Sequence, residues 1–231
     1  MGEWVKVTAE DGHELSAYVA KPSGDAIGAL VLVQEIFGIN AHIQSVCDSY
    51  AEDGFLVAAP AIFDRIERDV NLNYDAEGKK KAFSLYPQLD PEKSLLDVAA
   101  AYQYVKPTGK VGVIGYCYGG LMAWLSAVRG NAHGMHLSAA VGYYAGGIGK
   151  FAAEEPTCPV MLHFGAEDSH IGVDQIDAVR NAHPEVQVFV YAGAGHAFSR
   201  KPDPDSYNAD ASMLARKLSL EFLKENLEQI S

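Results

Sequence analysis

The sequence KVGVIGYCYGG, residues 110–120, is the most informative part of the chain. Its apolar, β-branched first half predicts a buried strand, and residues 121–128 after it are rich in helix-forming side chains. Between the two lies GYCYG at residues 115–119, a Gly-x-nucleophile-x-Gly pattern with Cys117 at its centre. In a strand–turn–helix context this pattern exposes a nucleophile at the end of the strand, and its glycines leave room for the sharp turn.

Cys117 has two interpretations when the motif is taken alone. A free cysteine is usually a small, buried hydrophobic residue. A cysteine at the N-terminal end of a helix, in contrast, is favoured as a reactive thiolate by the helix dipole and the free N–H groups. The organisation of the remaining sequence has to distinguish a structural cysteine from a catalytic one.

Apolar runs alternate with segments of helical spacing from residue 28 onward. The predicted strands are residues 29–33, 55–59, 111–114, 137–143, 160–164 and 186–191. The predicted helices lie near residues 41–53, 73–86, 91–105, 118–129 and 172–183, with a long C-terminal helix at 206–228 that Asp205 or Ser206 could cap. Because near-continuous apolarity is typical of strands buried on both faces, these strands predict a mostly parallel sheet.

The N-terminal segment predicts a β-hairpin, with strands at residues 4–9 and 14–20 joined by a turn at Asp11-Gly12. A hairpin followed by β/α alternation indicates an α/β protein whose mostly parallel central sheet carries helices on both faces. We therefore expect the α/β-hydrolase architecture.

The composition favours a single domain and argues against several kinds of partner. The chain has 231 residues, of which 48% are hydrophobic, which is enough for one buried core spanning residues 1–231. A net charge of −12 argues against a nucleic-acid surface, which needs clustered Lys and Arg. No stretch approaches the roughly 20 apolar residues of a membrane span. We therefore expect no nucleic-acid or membrane partner.

Cysteine spacing and the N-terminal segment predict a cofactor-free cytoplasmic protein. The three cysteines, Cys47, Cys117 and Cys158, lack metal-like spacing, and an odd number argues against a disulfide framework. HExxH, CxxC and phosphate-binding glycine motifs are absent from the sequence, so neither a metal nor an organic cofactor is expected. Residues 1–6 lack the apolar core of a signal peptide, which predicts a cytoplasmic location. Nothing in the sequence marks an exposed apolar stripe, and a monomer is the expected state.

A nucleophilic thiol needs a base within hydrogen-bond reach and a third group that orients the base. In this architecture the acid and then the histidine follow the nucleophile along the chain, each on a loop after a later strand. His196 follows the last predicted strand, whereas His163 lies within an apolar strand and is interpreted as a core residue. Asp168 follows the preceding strand, and its short side chain is held more firmly than that of Glu167. The predicted triad is therefore Cys117, His196 and Asp168.

These residues resemble the dienelactone hydrolase family, cysteine-dependent α/β-hydrolases related to carboxymethylenebutenolidase, over nearly the whole chain. The resemblance rests on QEIFGIN at residues 34–40, GVIGYCYGG at 112–120, VGYY at 141–144 and GAGHAFSR at 193–200. It implies that Glu35 contacts Cys117 and takes its proton when substrate binds, a role that suits a carboxylate in a partly apolar pocket. The fold predicts the backbone N–H of Tyr118 as one oxyanion donor, and the resemblance adds that of Ile36.

Dienelactone substrates of the family carry a carboxylate, which implies cations in the pocket. Arg200 occupies one matching position, and Lys79 occupies the place where the resemblance leads us to expect a second arginine. Lysine keeps the charge but lacks the planar fork that grips a carboxylate with two hydrogen bonds. Residues 79–81 can equally be a solvated helix face, and Arg65 is a possible substitute cation, unless it only pairs with its acidic neighbours.

Four aromatic residues are candidates for the pocket walls, with ordinary core packing as the alternative. They are Phe83, Tyr86, Tyr144 and Phe198.

The predicted function is hydrolysis of small, carboxylate-bearing lactones or esters of the dienelactone type through an acyl-thioester on Cys117. A broad carboxylesterase, or a hydrolase of another lactone, is the first alternative, because Lys79 departs from the family pattern. The second is a ligand-binding or oxidant-sensing protein of the same fold, against which the complete triad argues. The expected partner is a small-molecule lactone or ester.

Overall fold

The structure, a computed structural model, describes residues 2–228, so that Met1 and residues 229–231, at the ends of the predicted domain, lie outside it. Its strands are β1 Glu3–Thr8, β2 Glu14–Ala20, β3 Gly28–Val33, β4 Phe55–Pro60, β5 Val111–Tyr116, β6 Ala139–Tyr143, β7 Val160–Gly165 and β8 Gln187–Tyr191. Its α-helices are α1 Ala41–Glu52, α2 Ala76–Leu85, α3 Pro91–Val105, α4 Tyr118–Arg129, α5 Val173–Ala182 and α6 Ala209–Leu227. Short 3₁₀ turns join several of these elements.

The strands form one sheet in the order β1-β2-β4-β3-β5-β6-β7-β8. The pairs β1–β2 and β2–β4 are antiparallel, and every other neighbouring pair is parallel. Strands β3, β5, β6 and β7 are buried along their whole length, as near-continuous apolar runs require when helices cover both faces of a sheet. The predicted α/β-hydrolase fold with a mostly parallel sheet is confirmed.

The C-terminal helix begins later than the sequence predicts. Asn208, rather than Asp205 or Ser206, is its N-cap, because the Asn208 side chain accepts a hydrogen bond of 3.1 Å from the N–H of Ala211. The N–H groups of Ser206 and Tyr207 instead bond back to the carbonyl of Asp203 and close a turn. Residues 203–207 therefore belong to the loop that follows β8.

Strand polarity brings the predicted chemistry to one edge of the sheet. The carboxyl ends of the parallel strands β3, β5, β7 and β8 meet at the same edge, where open α/β sheets bind their ligands. The segments that follow these strands carry Glu35, Cys117, Asp168 and His196, respectively. Within residues 2–228, no helix combines the length and the apolarity that a membrane span requires.

Candidate active site

Cys117 sits on a strained turn between β5 and α4. Its backbone has φ 57° and ψ −116°, a conformation that is unfavourable for a residue with a side chain. The turn needs glycine on both sides, since a Cβ on Gly115 would lie 1.9 Å from the carbonyl oxygen of Gly119. A Cβ on Gly119 would lie 2.1 Å from the carbonyl oxygen of Val33 on β3. The backbone therefore has the form of a nucleophile elbow.

The thiol, an imidazole and a carboxylate form a chain of hydrogen-bond contacts. Nε2 of His196 lies 3.3 Å from Sγ of Cys117, and Nδ1 of His196 lies 2.7 Å from Oδ2 of Asp168. The other oxygen, Oδ1, accepts hydrogen bonds from the N–H groups of His170 and Ile171, at 2.8 and 3.2 Å. The loop after β7 thus fixes the carboxylate, which in turn orients the imidazole.

The partners of His196 favour its charged form. Burial alone would lower the pKa of His196, but the hydrogen bonds to Asp168 and Cys117 outweigh burial and raise it to about 10. The pKa of Asp168 lies below its usual value, because the hydrogen bond and charge of His196 outweigh the effect of burial. An imidazolium beside the sulfur stabilises a thiolate, which is the reactive form of cysteine.

Glu35 contacts Arg200 rather than Cys117. The carboxylate of Glu35 is buried, and Nε of Arg200 donates to both of its oxygens at 3.2 and 3.1 Å while Nη2 donates at 3.0 Å. The hydroxyl of Tyr74 donates to Oε2 at 3.1 Å. In the part of the chain that the structure describes, no hydrogen bond joins Glu35 to Cys117. In this structure the guanidinium fork of Arg200 holds both oxygens of Glu35, and the role toward Cys117 that the family resemblance implies stays a prediction.

Arg200 binds a second carboxylate as well. Its Nη1 donates to Oδ2 of Asp203 at 3.2 Å, and Nζ of Lys79 lies 3.8 Å from the same oxygen. The guanidinium also lies over the ring of Tyr74, at 4.7 Å from the ring centroid. Burial would lower the pKa of Arg200, but the charge of Glu35 raises it above the usual value. All three guanidinium nitrogens are therefore engaged.

A cavity of about 620 Å³ opens beside the thiol. Seven of the residues predicted for the site line it, namely Ile36, Lys79, Tyr86, Cys117, Tyr118, His196 and Arg200, and so does the aromatic candidate Phe83. The N–H groups of Ile36 and Tyr118 donate no hydrogen bond to another described residue, so both remain available beside the sulfur. This arrangement fits an oxyanion hole.

Tyr144 and Phe198 require a correction, because neither lines the cavity. Both side chains are fully buried, with 0% of their surface exposed. The ring centroid of Tyr144 lies 5.2 Å from that of His196, and its hydroxyl lies 2.8 Å from Oγ of Ser199. The rings therefore form a layer behind the imidazole, which agrees with the alternative interpretation as core aromatics.

Arg65 is not a cation of the site. It forms ion pairs with Asp11 and with the buried Asp97, both at 2.7 Å, and it does not line the cavity.

Sequence reasoning gave no role in the site to several residues that the structure places in or beside the cavity, among them Tyr74, Lys150 and Asp203. Only Asp203 left a local signal, because it follows Arg200 by three residues and a tight turn brings residues so spaced together. In the described part of the chain, no group of three or more His, Cys, Asp or Glu side chains could hold a metal ion.

The fold and the elbow define an α/β-hydrolase with cysteine at the position of the nucleophile. Within that class, the sequence profile of the dienelactone hydrolase family matches residues 15–227, and the chain belongs to this family. This confirms two predictions, namely that the chain belongs to this family and that it is a hydrolase acting on ester bonds.

Individual relatives match the chain over nearly its whole length. Carboxymethylenebutenolidase of Pseudomonas putida is 31% identical, with 96% of this chain and 95% of the relative aligned. Carboxymethylenebutenolidase 1 of Cupriavidus pinatubonensis is 29% identical over 96% of this chain and 97% of its own. A solved structure from Klebsiella pneumoniae, assigned to the dienelactone hydrolases, superposes with a TM-score of 0.79 at 25% identity and covers 96% of this chain and 98% of its own.

Proposed function

We propose that the protein hydrolyses small lactones and esters, including carboxylate-bearing substrates of the dienelactone type, through a thioester on Cys117. The carrying observation is the position of His196, whose two ring nitrogens lie 3.3 Å from the sulfur of Cys117 and 2.7 Å from the carboxylate of Asp168. The names of the carboxymethylenebutenolidase relatives support lactones as the substrate class.

In the first half of the reaction, the thiolate of Cys117 attacks the carbonyl carbon of the substrate. The N–H groups of Ile36 and Tyr118 stabilise the oxyanion of the tetrahedral intermediate. The imidazolium of His196 then gives its Nε2 proton to the departing oxygen as the C–O bond breaks. A thioester forms, and for a lactone the released alcohol stays attached to the acyl chain.

In the second half, the neutral imidazole of His196 accepts a proton from water, and the resulting hydroxide attacks the thioester. The C–S bond breaks, the acid is released, and the thiolate–imidazolium pair is restored. Asp168 holds the ring in one orientation through both halves and stabilises its charged form.

Arg200 and Lys79 are the proposed contacts for a substrate carboxylate. Both line the cavity, and a substrate carboxylate that takes Arg200 would release Glu35 from its present ion pair. Once released, the buried Glu35 carboxylate could accept a proton from any Cys117 that is still a neutral thiol, which would be a second route to the thiolate that begins the reaction. This order of events reconciles the observed Glu35–Arg200 ion pair with the role of Glu35 that the family resemblance implies.

A broad-specificity carboxylesterase is the second candidate. The observation that favours it is the pairing of Arg200 with Glu35 and Asp203, which leaves the guanidinium without a free nitrogen for a substrate carboxylate.

The thioester is tested by mass spectrometry of the intact protein mixed rapidly with 4-nitrophenyl hexanoate. We expect an acyl adduct and turnover in the wild type and in Cys158→Ala, which removes a half-buried thiol outside the cavity. Both signals should disappear in Cys117→Ala. Turnover that survives in Cys117→Ala would refute the mechanism. A carboxymethylene-butenolide lactone assayed beside the neutral ester then distinguishes the two candidate functions.

A further inference from the structure

Four charged side chains form a cluster at one side of the cavity. The charge cluster consists of Glu35, Lys79, Arg200 and Asp203. Two carboxylates and two cations give it no formal net charge. The cations proposed to attract a substrate carboxylate are thus already offset within the protein.

Asp203 differs from Glu35 in its access to the substrate. Asp203 lines the cavity together with Cys117, whereas Glu35 lies behind Arg200 and does not line it. The Asp203 side chain is only 4% exposed, so water screens its charge poorly. Burial would raise the pKa of Asp203, but hydrogen bonds from Ser206 and Arg200 and the charge of Lys79 lower it. Asp203 therefore presents a negative charge to the cavity at neutral pH.

A fixed negative charge beside the binding position of an anion opposes its binding. Near the surface of a protein, like charges a few ångströms apart repel more strongly than they do in bulk water. Asp203 shares its Oδ2 atom between Arg200 and Lys79, the two cations of the cluster. It therefore weakens both cations at once for an incoming carboxylate, while a neutral ester is unaffected by this balance.

We propose that Asp203 is a specificity-determining residue, which offsets Arg200 and Lys79 so that the cavity accepts neutral esters and carboxylate-bearing esters alike. This inference rests on the proposed hydrolysis at Cys117. It assigns the breadth of the substrate range to one buried carboxylate that follows Arg200 by three residues.

The test compares two esters of one shape, 4-nitrophenyl hexanoate and mono-4-nitrophenyl adipate, which differ by a methyl group against a carboxylate at the far end. In Asp203→Asn the cluster gains one positive charge, and the amide oxygen can still accept the hydrogen bond from Ser206. The ratio of kcat/KM for the adipate ester to that for the hexanoate ester should rise about tenfold, the order expected for one unit charge nearby. This change should come mainly from a lower KM for the adipate ester, with kcat nearly unchanged, because the added charge stabilises the bound ground state and the transition state alike.

Two further variants separate charge from structure. Lys79→Gln combined with Asp203→Asn returns the cluster to zero charge and should restore the wild-type ratio. Asp205→Asn makes the same change in net charge on an exposed residue of the same loop and should leave the ratio unchanged. A merely structural role for Asp203 would lower the rates of both esters together, with no recovery in the double variant. That pattern, or an unchanged ratio in active Asp203→Asn, would overturn the inference.

A binding measurement keeps this inference separate from the catalytic proposal. Phenylacetate and its neutral analogue phenylacetamide are titrated into Cys117→Ala and into Cys117→Ala/Asp203→Asn, with NMR as the readout. Phenylacetate should bind about tenfold more tightly when Asp203 is replaced, with phenylacetamide unchanged. This result would support the role of Asp203 even if Cys117 formed no thioester. Equal binding of phenylacetate to both proteins would count against Asp203 whatever the kinetics show.

Discussion

His163 is a buried histidine and His196 a half-buried one, and their hydrogen-bond partners differ in charge. On β7, Nδ1 of His163 lies 2.8 Å from the hydroxyl of Tyr191, and Nε2 lies 2.9 Å from Oγ of Ser219. His196, on the loop after β8, has a carboxylate and a thiol in the corresponding positions. Burial lowers the pKa of His163 to about 3, whereas that of His196 is raised to about 10.

The difference shows that burial alone does not decide the charge of a histidine in this protein. Burial disfavours the imidazolium at both positions. The hydroxyl partners of His163 satisfy its two nitrogens without supplying a charge, so the ring stays neutral. The carboxylate of Asp168 supplies that charge for His196, and the sulfur of Cys117 adds to it. The carboxyl edge of the sheet thus favours a charged imidazole at His196, whereas the interior favours a neutral one at His163.

The largest expected effect separates the two histidines by activity. His196→Ala removes the side chain that contacts both the sulfur of Cys117 and the carboxylate of Asp168, and ester turnover should fall by about 10³-fold or more. His163→Gln should keep turnover within a few-fold and lower the free energy of unfolding by about 1–3 kcal/mol, because a buried hydroxyl loses its partner. Initial rates and urea unfolding check both variants. Normal turnover in folded His196→Ala would show that His196 is not the catalytic acid and base.

The next largest effect is expected from a substitution that gives His196 an uncharged partner like those of His163. Asp168→Asn keeps an acceptor for the ring but removes the charge, so the pKa of His196 should fall, and turnover should drop by about 10²–10⁴-fold. NMR titration of the imidazole and kcat/KM measure the two quantities. Glu167→Gln is the matched control, since this neighbour is exposed and the ring nitrogens of His196 bond to Asp168 and Cys117 instead. If Asp168→Asn leaves the pKa of His196 unchanged, then the carboxylate does not set its charge.

Much of this fold could be predicted from the sequence because its signals are local. All eight strands coincide with apolar runs or with the hairpin pattern, and six helices follow helical spacing. That Cys117, Asp168 and His196 lie together could be predicted as well, since each of them follows a strand and the carboxyl edge of a parallel sheet collects such residues. The predicted start of α6 was wrong, because the N–H groups of Ser206 and Tyr207 close a turn with the carbonyl of Asp203 and the helix begins only after this turn.

The charge cluster could not be predicted in the same way. Glu35 and Arg200 are 165 positions apart in the chain, and no periodicity in the sequence indicates that they meet. The partner of Glu35 depends on where the loop after β8 crosses the end of β3, which is a tertiary property. The same limit explains why the sequence could not decide whether Tyr144 lines the pocket or packs in the core. An aromatic residue that follows a buried strand can do either.

The smallest effect is a difference in how the stability of the folded protein depends on pH. Between about pH 3 and 6.5 the unfolded chain binds a proton at His163 that the folded protein does not, so this residue makes stability rise with pH. Between 6.5 and about 10 the folded protein holds a proton at His196 that the unfolded chain has lost, so this residue makes stability fall with pH. Each slope can reach about 1.4 kcal/mol per pH unit.

Urea unfolding across pH 4–9 would measure these slopes in the wild type, His163→Gln and His196→Gln. At each pH, the free energy of unfolding of the variant is subtracted from that of the wild type. The contributions of other titrating groups then cancel, provided that these groups lie away from the substitution. The His163 difference should change on the acid side of pH 6.5. The His196 difference should change on the alkaline side, with a further contribution near the acid end of the range from Asp168, whose pKa His196 lowers. Two differences of the same sign and range would mean that both rings share one charge state, and the contrast between the two sites would fail. Opposite slopes would show that hydroxyl partners keep the imidazole of His163 neutral and that the carboxylate partner keeps the imidazole of His196 charged.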